Sequence, residues 1–219
     1  MKKIVGLFGA IVALCSLFAL AGTAAWWNAW LCLAFLAVLG TFTTRLINGI
    51  PGLAEERRTA GALAMAWDRQ LVRMIDLALP AMLIVAALDM RFRFLPAVPA
   101  LVSAGALAAM IPAATLAYRA IAANAFFSSH VRIQSDRGHL VVSAGPYGIV
   151  RHPGYAGAAA FNLLLPVALG SWAALAIGCV VVALLLYRTG REDRMLLADL
   201  PGYAAYARQV QSRLVPGLW

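Results

Sequence analysis

Long apolar stretches constrain the fold of this chain more than any other feature of its sequence. Three of them, at residues 4–21, 24–41 and 95–117, approach or exceed the length of about 20 residues that a membrane-spanning helix needs. In the whole chain 63% of the residues are hydrophobic and only 12% are charged, whereas soluble domains have about 25% charged residues. The sequence therefore predicts an all-α polytopic membrane protein.

The order of apolar and polar segments predicts a single domain over residues 1–219. Residues 1–118 hold four transmembrane helices, and residues 119–219 form a core region that is richer in polar residues. Residues 156–187 are mostly apolar but are interrupted at Leu169–Trp172, which favours a helical hairpin. With this hairpin the chain has about five to six transmembrane segments. No glycine-rich phosphate-binding motif is present, so we expect no Rossmann domain.

The positive charges indicate how the chain lies in the membrane. The formal net charge is +9, and apart from Arg91 and Arg93 the basic residues fall at the N-terminus, in the two large loops and near the C-terminus. The positive-inside rule then puts both termini in the cytoplasm. This distribution suits a membrane surface and argues against nucleic-acid binding. A high content of Ala and Arg with only two Lys points to a bacterial inner membrane.

Three local patterns give further structural expectations. The segment DRGHLVVSAG, at residues 136–145, suggests an extended strand or a turn. Arg73 and Asp76, three residues apart on a helix, suggest an ion pair at the interface. The C-terminal segment places Tyr203, Tyr206 and Val210 on one helical face, which is typical of an amphipathic helix on the membrane surface.

The segment GPYGIVRHPGYAG, at residues 145–157, has the composition of a shaped pocket wall. Its prolines restrict the backbone, and its glycines permit close approach of another group. It also precedes a predicted helix, where free backbone N–H groups can meet an anion. Arg151 adds a fork of donors suited to a carboxylate or a phosphate.

A second polar cluster follows the hairpin. Arg188, Glu192 and Asp193 lie about one helical turn apart, and the hairpin returns them toward Arg151. Their spacing leaves two interpretations open, since an ordinary surface salt bridge between Arg188 and Glu192 explains it nearly as well as a binding site. His130 and His139 lack a third ligand at useful spacing, so no metal site is expected.

Together these segments resemble the isoprenylcysteine carboxyl methyltransferase family. The family pattern is GPYxxxRHPxYxG, a hairpin, an Arg with paired acidic residues, and then spaced tyrosines with an Arg near a final Pro. The similarity covers about residues 119–219, and Asp193 stands where the family more often has Glu. The matching residues are Gly145, Pro146, Tyr147, Arg151, His152, Pro153, Tyr155, Gly157, Glu192, Asp193, Tyr203, Tyr206, Arg213 and Pro216.

The resemblance implies an S-adenosylmethionine-dependent methyltransferase whose lipophilic or lipid-tethered acceptor meets the cofactor at the cytoplasmic membrane face. It implies catalytic roles for Arg151 and Glu192. Asn124, Arg132 and Gln134 are substrate candidates, although a solvated loop explains them as well. The residues that the resemblance places at the cofactor are Gly145, Tyr147, His152, Pro153, Tyr155, Gly157, Arg188, Glu192 and Asp193.

Two other functions remain possible from the sequence. Membrane sterol and steroid reductases, which bind NADPH, carry a similar RHP-Tyr motif, but they usually have Asn where this chain has Gly154. The third interpretation is a non-enzymatic scaffold or a small transporter, but the two polar clusters would have no function in such a protein. The sequence does not identify the methyl acceptor, does not distinguish O-methylation from N-methylation and does not indicate an oligomeric state.

Overall fold

The computed structural model describes residues 2–219, with side chains from residue 10 onward. Within this range the chain is helical, with two 3₁₀ turns at Ser135–Arg137 and Gly145–Gly148 and no β-strand. The helices are α1 (Lys2–Ala21), α2 (Trp27–Gly49), α3 (Leu53–Leu63), α4 (Ala66–Phe92), α5 (Ala100–Ala123), α6 (Pro153–Ala168), α7 (Trp172–Asp199) and α8 (Tyr203–Gln209).

The prediction of an all-α polytopic membrane protein is confirmed. Helices α2, α4, α5 and α7 are long and apolar enough to cross a membrane. The shorter apolar helices are residues 10–21 of α1 and the 16-residue α6. Several helices extend beyond their apolar stretches, because no proline or glycine follows directly to end them. Helix α4 begins at Ala66 and therefore includes Asp68.

The predicted hairpin is present, and its second helix is longer than the apolar run. Helices α6 and α7 are joined by a turn in which the Ser171 hydroxyl caps α7 by accepting a bond from the Ala174 N–H, at 3.1 Å. The same hydroxyl donates to Asp89 Oδ2 at 2.6 Å, which ties the turn to α4. Helix α7 then continues to Asp199, just before Pro201. It therefore carries Glu192 in a helix rather than in a loop.

Close contacts between backbones hold α5, α6 and α7 together. A Cβ atom on Gly157 of α6 would lie 2.7 Å from the Ala113 carbonyl oxygen of α5. A Cβ atom on Gly178 of α7 would lie 2.4 Å from the Asn162 carbonyl oxygen of α6. Both distances are shorter than any ordinary carbon contact, so only glycine fits. Small residues commonly allow this approach between membrane helices.

The C-terminal helix differs from its prediction. Helix α8 has only seven residues, and its apolar face packs against the end of α7 rather than lying on a membrane surface. Tyr203 and Tyr206 are buried there with Leu196 and Leu200. The Tyr206 hydroxyl donates to the Tyr147 carbonyl oxygen at 2.7 Å. The tyrosines thus join the tail to the segment before α6.

Of two other local expectations, one is confirmed and one was wrong. Residues 136–145 were expected to form an extended strand or a turn, and the chain there has a 3₁₀ turn at Ser135–Arg137 that ends in Gly138 with a positive φ of 64°. The glycine redirects the chain, and the following residues are neither helical nor part of a strand in the described structure. Arg73 and Asp76 form no ion pair within the described residues. Both side chains are exposed on α4.

Candidate active site

A cavity of about 560 Å³ lies at one end of the helix bundle. It is bounded by α4, α6, α7 and the polar loop, which we define as residues 124–143. Its volume is in the range of about 300–1,000 Å³ that is typical of small-molecule sites. The predicted site residues that line it are Asn124, Arg132, Gln134, Tyr147, Arg151, His152, Tyr155, Arg188 and Glu192.

Four predicted cofactor residues support the cavity from outside its lining. Gly145 has a positive φ of 59° and starts the 3₁₀ turn before α6. Pro153 opens α6 at a position where a missing N–H costs nothing. Gly157 lies at the contact with α5, and Asp193 is fully buried behind the wall.

Glu192 is the carboxylate of α7 that lines the cavity. It accepts a hydrogen bond from the Tyr155 hydroxyl of α6. No cation lies within salt-bridge distance of it among the described residues. The Arg188 guanidinium lies 5.3 Å from the centre of the Tyr155 ring. Since an ionised carboxylate can accept several hydrogen bonds, Glu192 retains capacity to bind a ligand.

Asp193 is the centre of a buried network beside the cavity. Its carboxylate accepts two hydrogen bonds from Arg151, both at 2.8 Å, and one from Arg213 Nε at 2.8 Å. The Tyr203 hydroxyl donates to it at 2.9 Å, and His152 Nε2 lies 3.2 Å away. The two neighbouring acidic residues of α7 therefore differ in their contacts. Asp193 holds Arg151, Arg213 and Tyr203 in place, whereas Glu192 faces the cavity.

Arg151 joins this network to the C-terminal tail. Its Nη1 donates to the carbonyl oxygens of Val210 at 2.8 Å and Gln211 at 2.7 Å. With the two bonds to Asp193, four of its five N–H donors are occupied. This geometry gives Arg151 a positioning role, and its catalytic role stays a prediction.

Asp68 forms a second buried network that the sequence reasoning missed. Its carboxylate accepts a bond from Arg188 Nε at 2.8 Å and another from the Val131 backbone N–H at 2.8 Å. Arg188 Nη2 also donates to the Ser129 carbonyl oxygen at 2.8 Å. The network joins α4, α7 and the polar loop. The signal in the sequence was a single acidic residue next to the apolar run of α4.

Two histidines of the polar loop line the cavity as well. Burial lowers the pKa of both His130 and His139 below the ordinary histidine value. His130 Nδ1 is buried without a hydrogen-bond partner among the described residues and lies 3.9 Å from Asp68 Oδ2. Burial therefore favours the neutral form of both imidazoles.

Residues 106–198 match the family model described as the isoprenylcysteine carboxyl methyltransferase (ICMT) family. This range, which we call the ICMT-like region, is similar to that family. The match supports an ICMT-like membrane methyltransferase. No curated protein matches the chain significantly.

The ICMT-like region supplies much of the cavity. It contains α6, nearly all of α7 and the polar loop between α5 and α6. His152, Tyr155 and Glu192 all belong to it. Asp68 and the helix α3 precede it in the chain, and Tyr203 and Arg213 follow it. The cavity is therefore completed by segments on both sides of the matched range.

The three substrate candidates of the ICMT-like region have protein partners. Asn124 Nδ2 donates to the Tyr147 hydroxyl at 3.2 Å. Gln134 is almost fully buried, and its Nε2 donates to the Phe126 carbonyl oxygen at 2.7 Å. Arg132 forms ion pairs with Glu56 and Asp136. These contacts shape the polar loop, and a role in substrate binding stays a prediction.

Proposed function

We propose that this protein transfers a methyl group from S-adenosylmethionine to a lipophilic or lipid-tethered acceptor at the cytoplasmic membrane face. The observation that carries the proposal is the cavity at the membrane-helix ends, in which Glu192 and Tyr155 of the ICMT-like region face one ligand-sized space. The basic residues of the loops at this end support the cytoplasmic orientation.

The lining of the cavity fits the cofactor. When bound, S-adenosylmethionine supplies an electrophilic methyl group on a sulfonium. Glu192 has the hydrogen-bonding capacity for ribose hydroxyls or for the ammonium of the methionine moiety. The rings of His152 and Tyr155 lie nearly parallel, with 5.8 Å between their centres. Asp193 contacts the His152 ring and Glu192 accepts a hydrogen bond from Tyr155. These contacts fix the two rings as one wall of the cavity.

Alignment and exclusion of water are the contributions expected from this site. Methyl transfer proceeds by in-line attack, so holding the two reactants in position lowers the barrier. Phe126, Phe127 and Leu185 line the cavity and give it apolar surface that excludes water. No strong base is needed for a carboxylate acceptor. An amine acceptor must first lose a proton.

The membrane-facing side of the cavity supports a lipophilic acceptor. Val72 and Ile75 of α4 belong to its lining, and α4 is one of the helices able to cross the membrane. An acceptor with an apolar tail can therefore approach laterally beside α4 while its reactive group enters the polar part. A purely water-soluble acceptor would gain nothing from this arrangement.

Methyl incorporation tests the proposed function directly. Purified protein is incubated with labelled S-adenosylmethionine and a lipid extract, and mass analysis identifies the product that gains a methyl group. We expect incorporation by the wild type and a decrease of at least about 100-fold for Glu192→Gln, since the amide cannot pair with a cation. Asp199→Asn, which changes an exposed carboxylate of the same helix, is the matched control and should remain active.

Binding of the alternative cofactor discriminates between enzyme classes. The wild type should bind S-adenosylmethionine saturably and should not bind NADPH. Saturable binding of NADPH with no binding of S-adenosylmethionine would contradict the proposal and favour the reductase. Equal activity of the wild type and Glu192→Gln would show that Glu192 does not take part in methyl transfer.

A further inference from the structure

Most cations that line the cavity are already neutralised by the protein. Arg188 pairs with Asp68, Arg151 pairs with Asp193, and Arg132 pairs with Glu56 and Asp136. These guanidinium groups have their charges satisfied by carboxylates at short distances. A ligand anion that approached them would have to compete with a partner already in place.

Arg57 of α3 is different. This residue lines the cavity and is half-buried, but no carboxylate lies within salt-bridge distance of its guanidinium among the described residues. Its protein contact is a hydrogen bond from Nη1 to the Phe127 carbonyl oxygen, at 3.3 Å. Burial and the nearby charge of Arg188 lower the pKa of Arg57. The protein therefore holds an uncompensated cation at the cavity, at a cost in free energy.

The carboxylates of the cavity show the complementary pattern. Glu192 and Asp76 both line it, and neither has a cation within salt-bridge distance in the described part of the chain. The cavity thus presents one unpaired positive group, Arg57, and the unpaired Glu192 carboxylate, whereas the Asp76 carboxylate is exposed to solvent. S-adenosylmethionine carries a carboxylate and an ammonium, which are complementary to Arg57 and Glu192.

We infer that Arg57 binds the carboxylate of the methionine moiety of S-adenosylmethionine. The inference rests on the proposed function and deepens it by assigning an anion-binding residue from α3, outside the ICMT-like region. A guanidinium can donate two parallel hydrogen bonds to a carboxylate, which fixes the orientation of the bound group as well as its position. Binding of the cofactor compensates the charge that the protein leaves unpaired.

The test compares two ligands that differ only in the carboxylate. Calorimetry measures the affinity of the detergent-solubilised full chain for S-adenosylhomocysteine and for its decarboxylated analogue. The wild type should bind S-adenosylhomocysteine more tightly. Arg57→Gln should weaken S-adenosylhomocysteine binding by about 10- to 100-fold, as expected for loss of a charged hydrogen bond, and should leave binding of the analogue nearly unchanged. Arg57→Lys, which keeps the charge without the fork, should lose less affinity.

Arg58→Gln is the matched control for this substitution. It removes the same charge one residue further along α3, but the Arg58 side chain is exposed and pairs with Glu55 outside the cavity. Its affinity for both ligands should equal that of the wild type. Thermal unfolding of the unliganded proteins adds a second measurement. Because Arg57 is an uncompensated charge, Arg57→Gln should unfold at the same temperature as the wild type or higher.

The possible results separate this inference from the proposed function. If the wild type binds S-adenosylhomocysteine and Arg57→Gln binds it equally well, the inference is overturned while the proposed function stands. If Arg57→Gln loses both ligands equally and unfolds at a lower temperature, Arg57 is structural and the inference is again overturned. If the wild type binds neither ligand, both the inference and the proposed function fail.

Discussion

At the scale of single residues, two buried aspartates determine which side chains remain available to a ligand. Asp68 and Asp193 are both fully buried, and each neutralises an arginine that lines the cavity. Burying a carboxylate is costly unless charges and hydrogen bonds compensate it. The aspartates therefore orient Arg188 and Arg151 and reduce their capacity to bind a ligand carboxylate.

Removing the charge of Asp193 should destabilise the protein. Asp193→Asn cannot pair with Arg151 and Arg213, and it leaves two guanidinium groups without a carboxylate. We expect a loss of about 3–5 kcal/mol in the free energy of unfolding, the cost of breaking a buried ion pair. Thermal unfolding in detergent measures it, with the exposed Asp199→Asn as control. Equal unfolding temperatures for Asp193→Asn and the wild type would contradict a structural role.

At the scale of helices, the contact between α5 and α6 sets the position of the cavity wall. Gly157 lies one helical turn after Pro153, and its missing side chain lets α6 approach the backbone of α5. The same helix carries Tyr155 toward Glu192. Gly157, predicted as a cofactor residue, thus lies where it controls the separation of two helices.

A methyl group at this contact should force the helices apart. We expect Gly157→Ala to lower the free energy of unfolding by about 1–3 kcal/mol through overpacking, and to weaken cofactor binding because Tyr155 moves with α6. Gly190→Ala on α7 is the matched control, since a Cβ atom there meets no atom within 4 Å. Thermal unfolding and calorimetry with S-adenosylhomocysteine provide the measurements. If Gly157→Ala and Gly190→Ala unfolded at the same temperature, the close contact between α5 and α6 would not contribute to stability.

At the scale of the whole molecule, the buried carboxylate of Glu56 connects helix α3 to the ICMT-like region. Glu56 accepts hydrogen bonds from Arg132 Nε at 2.9 Å and from the Ser128 hydroxyl at 2.9 Å. These contacts join a segment outside the matched range to the polar loop within it. They also position Arg57, the next residue along α3.

This attachment should depend on pH. The hydrogen bond from Arg132 lowers the pKa of Glu56 below its ordinary value of 4.5. Between the two values the unfolded chain binds more protons than the folded protein, so stability rises with pH there. The contribution of Glu56 is therefore complete above about pH 4.5 and is lost as the pH falls through the folded-state value.

Comparison of the wild type with Glu56→Gln isolates this contribution. The difference between their unfolding temperatures should be largest at neutral pH and should shrink progressively below pH 4.5. Glu55→Gln, an exposed neighbour on the same helix, should show a much smaller difference. A difference that stays constant with pH would indicate that the Glu56 carboxylate makes no charge-dependent contribution.

The sequence by itself determined the membrane class, the hairpin and several residues at the cavity. Its apolar stretches predict spanning helices because backbone groups in a bilayer must be paired within a helix. The segment at the start of α6 and the polar end of α7 supplied the candidates His152, Tyr155 and Glu192, all of which line the cavity. The predictions of the membrane class and of the hairpin are confirmed because they depend on local pattern and on the return of one hairpin, whereas the roles of the three cavity residues stay predictions.

Only the tertiary structure decided which charges are paired. Arg188 pairs with Asp68, 120 residues earlier in the chain, rather than with Glu192 at the spacing of a helical pair. Arg57 reaches the cavity because α3 docks on the polar loop through Glu56. Helical spacing reports neighbours along one helix, whereas the partner of a buried charge is set by which helices and loops pack together. Among the described residues, that packing leaves Glu192 and Arg57 without an ion-pair partner at the cavity.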